Sequence, residues 1–270
     1  MPVDLGVIYA LDALTRRYQD VLVNVADSTS TAVGALWDRL GGITDVAQTQ
    51  FADAAASLVA RTQLTMARVT VAYIDAYVNT ALRGRQNVGP VDIAAVVAQA
   101  RQGIPPIEVY LRPAVTARTA IARGRTFAEA MQAARARATS AANTDVALAG
   151  RGAAQAAMER HPAIVGYRRV PDATACTFCL VASTQRYHVS DLMPLHNNCR
   201  CTVAPIISDR DQHVIGAAPE RLQEIAAELK AQGVISPGVY GHSPADVIDV
   251  HMHGELGPVL TRAGDAFTRP

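Results

Sequence analysis

The sequence predicts an α+β protein: a body of long helices over residues 1–160, then a small α/β module, then a helix and an extended tail over 211–270. Three observations predict it. Half of the 270 residues are apolar but only 5% are aromatic, and alanine is abundant, the composition of helices packed closely through small side chains. Apolar residues recur at three- and four-residue intervals through most of the first 160 positions. All four cysteines, Cys176, Cys179, Cys199 and Cys201, fall in one short window after that pattern ends.

Each element follows in order. Leu5, Ile8, Leu11, Leu14 and Tyr18 share a helical face, and a second helix is predicted over residues 30–40, stopped by Gly41-Gly42. Thr44 can cap a long helix to about Leu82, with Phe51, Leu58, Val59, Met66, Val69, Tyr73, Tyr77 and Val78 in its stripe. Gly84 and residues 85–90 break the pattern. A short helix over 91–102 follows, and the Gly-Ile-Pro-Pro run at 103–106 ends it. A helix over 109–123 stops at Gly124. Thr126 and Glu129 then read as a capping box for a helix reaching about Glu159, weakened at Gly150 and Gly152. Past His161-Pro162 the texture becomes β: strands are predicted over 165–170, 185–189 and 201–207. Residues 219–232 form an amphipathic helix stopped by Gly233, and Ser243-Pro244 can start another turn. The tail suits a hairpin or a partner-binding extension.

Composition excludes several function classes. A net charge of +1 supplies no field to hold the chain on nucleic acid or membrane. No apolar run reaches the ~18 residues of a membrane span, and the first residues, with Asp4 and no basic stretch, do not read as a signal peptide. A reducing cytoplasm is therefore expected, where grouped cysteines more often bind metal than pair. Lys230 is the only lysine; the arginine bias fits a GC-rich genome.

The cysteine window reads C-x2-C-x16-H-x2-C-x-C, with His196 as the histidine. A C-x-x-C turn aims two sulfurs at one point. Cys199 and Cys201 lie on one side of an extended segment. Four of the five residues Cys176, Cys179, His196, Cys199 and Cys201 would close a tetrahedral zinc site, with His188 a distant sixth candidate. Such a site is structural rather than hydrolytic, because four protein ligands leave no position for a catalytic water. It would pin a module with little core of its own. Two disulfides, a Cys176/Cys179 redox pair, or simple burial are the other readings of the same residues.

Six arginines and one acid, Glu129, lie between Arg112 and Arg137. Arg112, Arg118, Arg123 and Arg125 are candidates for binding an acidic partner or a DNA backbone. A solvated helix face, with arginine stems covering alanine surface, is the favoured reading, because few aromatics are present to stack on bases. Ser183, His188, Ser190 and Asp191 could suggest a hydrolase, but no G-x-S-x-G motif accompanies them. His251, His253 and Glu255 form an H-x-H-G-E that could bind metal or serve acid–base work, or simply hydrogen-bond within a tail. No catalytic residue is assigned.

The stretches GYRRVPDATACTFCLVASTQRYHV and MPLHNNCRCTVAPI resemble the phage Mu F-like head morphogenesis proteins, minor capsid proteins of tailed phages, in their actinobacterial-phage form. The matching elements are Arg168-Arg169, Cys176/Cys179, His196/Cys199/Cys201 and Pro205, and the helix RPAVTARTAIARGRTFAEAM extends the likeness to about residues 109–207. The resemblance implies a low-copy protein made in the host cytoplasm and carried into the capsid interior. Its partners would be the portal protein, the major capsid protein or both, with packaged DNA as a further contact. Neither a membrane nor a small-molecule substrate is implied. Some relatives are labelled capsid maturation proteases, which makes proteolysis the alternative activity. The resemblance does not extend past residue 207.

Overall fold

The computed structural model describes residues 5–84, 87–172, 175, 179, 182–183, 186–191, 199–207, 248–253 and 257–262. Among them, five helices precede the strands: α1 Leu5–Asp38, α2 Asp45–Leu82, α3 Ile93–Ala98, α4 Pro106–Ala122 and α5 Phe127–Glu159. The strands are β1 Gly166–Val170, β2 Arg186–Tyr187, β3 Thr202–Ile206, β4 Ile248–His253 and β5 Gly257–Arg262, with a 3₁₀ turn at Val189–Asp191 after β2. The mostly helical chain with a small antiparallel sheet matches the α+β expectation at that level.

α1 is one helix of 34 residues where the sequence suggested two. The reason lies in its Asp-Ser-Thr-Ser-Thr segment, whose hydroxyls usually favour caps and turns. Here Thr29 donates back to the Val25 carbonyl at 2.7 Å and Ser30 donates across to the Thr139 carbonyl of α5 at 3.1 Å. Both hydroxyls are satisfied without a break. α2 starts as expected: Thr44 accepts from the Ala47 N–H, and the helix runs 38 residues. α3 is shorter than expected, at six residues, capped by Asp92. α4 begins earlier, because Pro106 sits in the first turn, where its missing N–H is harmless. The Thr126/Glu129 capping box forms in full, and α5 passes Gly150 and Gly152 unbroken.

α5 organises the body, packing on α1, α2 and α4. Its Ala130, Ala134, Ala138 and Ala142 are all fully buried at four-residue spacing, a smooth ridge that lets helices approach closely. Gly34 of α1 permits one such approach: a Cβ there would lie 2.7 Å from the Arg135 guanidinium of α5. Two apolar clusters result. One joins Trp37, Phe51, Val59, Tyr110 and the alanine ridge. Trp37 meets Phe51 edge-on at 5.0 Å and donates from Nε1 to the Met131 carbonyl. The other joins Leu11, Tyr18, Leu22, Met66, Tyr73, Ile74 and Met158 to Tyr167, Val170, Val203 and Ala204 of the sheet. Helices and sheet therefore share one core.

The sheet has the order β2-β1-β3, all antiparallel, with Tyr167 opposite both Tyr187 and Pro205. Gly166 is required by this pairing: a Cβ would lie 2.6 Å from the Tyr187 carbonyl oxygen. β2 covers two residues of the predicted 185–189 strand, since the chain turns into the 3₁₀ turn at Val189. β4 and β5 form a separate antiparallel hairpin, the first of the two forms expected of the tail. The expected helix over 219–232 and the turn at Ser243-Pro244 lie outside the described residues.

Candidate metal centre

Cys199 and Cys201 are delivered by β3. Pairing with β1 fixes Thr202–Ile206, and Cys201 lies immediately before them. The segment is extended, so Cys199 and Cys201 are buried together while Arg200 between them turns to Asp27 of α1. Cys179 comes from the connection between β1 and β2. Their Sγ atoms lie within 4.8 Å of one another, and each residue is 2–3% exposed. Ala182, Ala175 and Tyr187 pack around them, and the Tyr187 hydroxyl donates to the Ala182 carbonyl at 2.7 Å.

The spacing is informative. Cys179 Sγ and Cys199 Sγ are 3.8 Å apart, and all three described cysteines are free thiols. A disulfide requires about 2.05 Å. Four sulfurs at about 2.3 Å from a zinc ion occupy corners about 3.8 Å apart. The Cys179–Cys199 separation is that of two corners of such a tetrahedron, and Cys201 lies within 4.8 Å of both, so the three thiols form a donor set compatible with a soft metal ion. Cys176 and His196, the candidates for the fourth corner, lie outside the described residues.

Without a metal, the surroundings keep Cys201 a neutral thiol. The Cys201 thiol is held well above its ordinary value. Its hydrogen bond with Cys179 favours the thiolate, but the bond with Cys199, burial and the Cys199 charge outweigh it, and Arg151 gives a weaker downward pull. A dication reverses that balance, because only the thiolate ligates.

The helical body holds the module through its backbone. Arg151 of α5, 8% exposed, donates from Nη2 to the Cys199 carbonyl at 3.1 Å. Tyr73 of α2 donates to the Val203 carbonyl at 2.8 Å, and Gln19 of α1 to the Val170 carbonyl at 3.1 Å. Tyr73 also stacks on Tyr18 at 4.2 Å, and burial pushes the Tyr18 phenol up to about 12, against its bond to Thr70 and the charge of Arg151. The fully buried Arg169 lies over the Tyr187 ring, 5.3 Å from its centroid. Sequence reasoning missed Gln19, Tyr73 and Arg151. One signal was available for Arg151: a lone charge between Gly150 and Gly152 in an alanine-rich helix.

Among the described residues, the cluster of potential metal ligands holds only Cys179, Cys199 and Cys201. Arg118 donates to the Asp45 carboxylate at 2.6 Å and to the Ile43 carbonyl, at the start of α2. Arg125 pairs with Glu129 at 3.3 Å. Arg112 is half-buried, and burial and then the Arg137 charge lower its pKa. Arg123 is exposed at the end of α4. Ser183 is buried, whereas His188 and Ser190 are exposed. His251 pairs with Val259 and His253 with Gly257 in the hairpin; Glu255 lies outside the described residues.

A long-helix body whose core continues into a small sheet with clustered thiols defines the class. The family model described as VG15 protein matches residues 11–228, most of the chain. The chain belongs to the VG15 protein family, a family of phage proteins. No curated protein and no solved structure matches it. Among the described residues, no helix is long and apolar enough to cross a membrane.

Proposed function

We propose that the chain is a minor capsid protein of a tailed phage, acting in head morphogenesis beside the portal, and that Cys179, Cys199 and Cys201, with Cys176 or His196, hold one structural zinc. The observation that carries this reading is the buried thiol cluster in a member of a phage family. The likeness of its cysteine and arginine motifs to the Mu F-like head proteins supplies the finer role. The zinc would contribute folding free energy to a sheet of few residues. Four protein ligands would close its coordination sphere, so the site joins segments rather than reacts. The helical body would dock on the portal or the major capsid protein, first in the host cytoplasm and then inside the capsid.

Two measurements test the reading. Full-length protein purified without oxygen is expected to carry one zinc per chain; none would remove the metal. Co-expressed with its portal and major capsid proteins, the chain is expected to co-purify with at least one of them. A chain that ignores both overturns the assembly role, and shortening of the capsid protein in the same experiment would identify a maturation protease instead.

A further inference from the structure

We propose that Arg151 is the charge-balancing residue of the metal centre, the helical body's contribution to a site whose ligands all come from the module; the inference rests on the zinc reading above. Three or four thiolates around a dication leave a net charge of about −1 to −2. The sulfurs are almost entirely shut off from water, and an uncompensated charge is costly in such surroundings.

Two buried guanidiniums border the cluster, one at the Cys199 carbonyl and one at the Tyr187 ring that packs on the thiols. Arg169 is turned to the Tyr187 ring. Arg151 instead reaches the ligand-bearing segment, donating to the carbonyl of Cys199 itself. Arginine keeps its charge at any working pH, so the body presents a permanent cation to the thiolates. Arg200, although it lies between two ligands in sequence, is neutralised by Asp27. A remote helix therefore sets how tightly the module holds its metal.

The experiment uses the full-length chain and zinc itself. Arg151→Gln keeps a donor for the Cys199 carbonyl and removes the charge; Arg151→Lys keeps both. Affinity is read by competition with a chelating dye, and the thiolate-to-metal absorption of the cobalt form reports the ligand set. Helical circular dichroism of each variant checks the fold, with Arg151→Met in reserve if the glutamine variant fails to fold. Arg151→Gln is expected to bind zinc roughly 10–100-fold more weakly, the usual range for a residue behind the ligands. Arg151→Lys should stay near wild type, as should Arg200→Gln. Glutamine and lysine variants that bind alike would overturn the proposal while leaving the zinc reading intact. A wild-type chain that binds no zinc would overturn both.

Discussion

Asp145 places a carboxylate 3% exposed within α5, where Arg101 and the Tyr110 hydroxyl both donate to it. Arg101 belongs to the turn after α3 and Tyr110 to α4, so one buried acid fastens two connections to the central helix. Removing one partner of such a pair strands the other charge. Asp145→Asn is expected to cost about 3–5 kcal/mol in urea unfolding; a loss below about 1 kcal/mol would show the pair to be dispensable. Glu129 gives a pH signature. Its bonds to the Thr126 N–H and hydroxyl, with Arg125 nearby, hold its carboxyl below the ordinary 4.5. A lowered acid stabilises the fold above its ordinary pKa and loses that contribution as pH falls through the lowered value. Wild type should therefore melt above Glu129→Gln at pH 7, and the gap should close in acid well below pH 4.5. A gap that does not change with pH would remove the capping charge from the account. The capping box was legible as a four-residue motif, because both partners are local. Asp145 was not, because its partners lie 44 and 35 residues away.

Helix identity was legible wherever the stripe was long, and boundaries failed where a tertiary partner replaced a local one. The break expected in α1 disappeared because Ser30 found a carbonyl on α5, which no window of local sequence contains. α4 began early because proline in a first turn looks, in sequence, like proline ending a helix. The β2 strand ends early because the chain turns into the 3₁₀ turn at Val189. At this scale Gly166 is the sharpest test. Its neighbour is the fixed backbone of β2 rather than a movable side chain. Gly166→Ala is expected to destabilise by about 1–3 kcal/mol, read as a lower melting temperature; an unchanged melt would mean that β2 can separate freely from β1.

Across the whole molecule, the sequence window grouped Cys179, Cys199 and Cys201, which the structure brings together, and left unsaid what holds them in place. Spacing is a property of the window alone. The continuity of the core from Leu11 and Tyr73 into Val203 is a property of two helices and a strand far apart in sequence. With zinc held as proposed, that continuity predicts how metal loss is felt. Chelation should lower the single melting transition of the entire chain rather than release an independent module. Structural zinc is worth enough that the fall should exceed about 10 °C for a chain of this size. Trp37, the sole tryptophan, lies in the other apolar cluster and makes a distant reporter: its fluorescence transition should move together with the helical signal. If instead it melts at an unchanged temperature, body and module unfold separately.

The helices grip the sheet by main-chain oxygens at positions 170, 199 and 203, and every amino acid supplies that oxygen. The donors are particular while the acceptors are generic. A cysteine-rich segment borrowed from another phage could be spliced after Arg160 and still find its three anchors, provided its strands kept the same register.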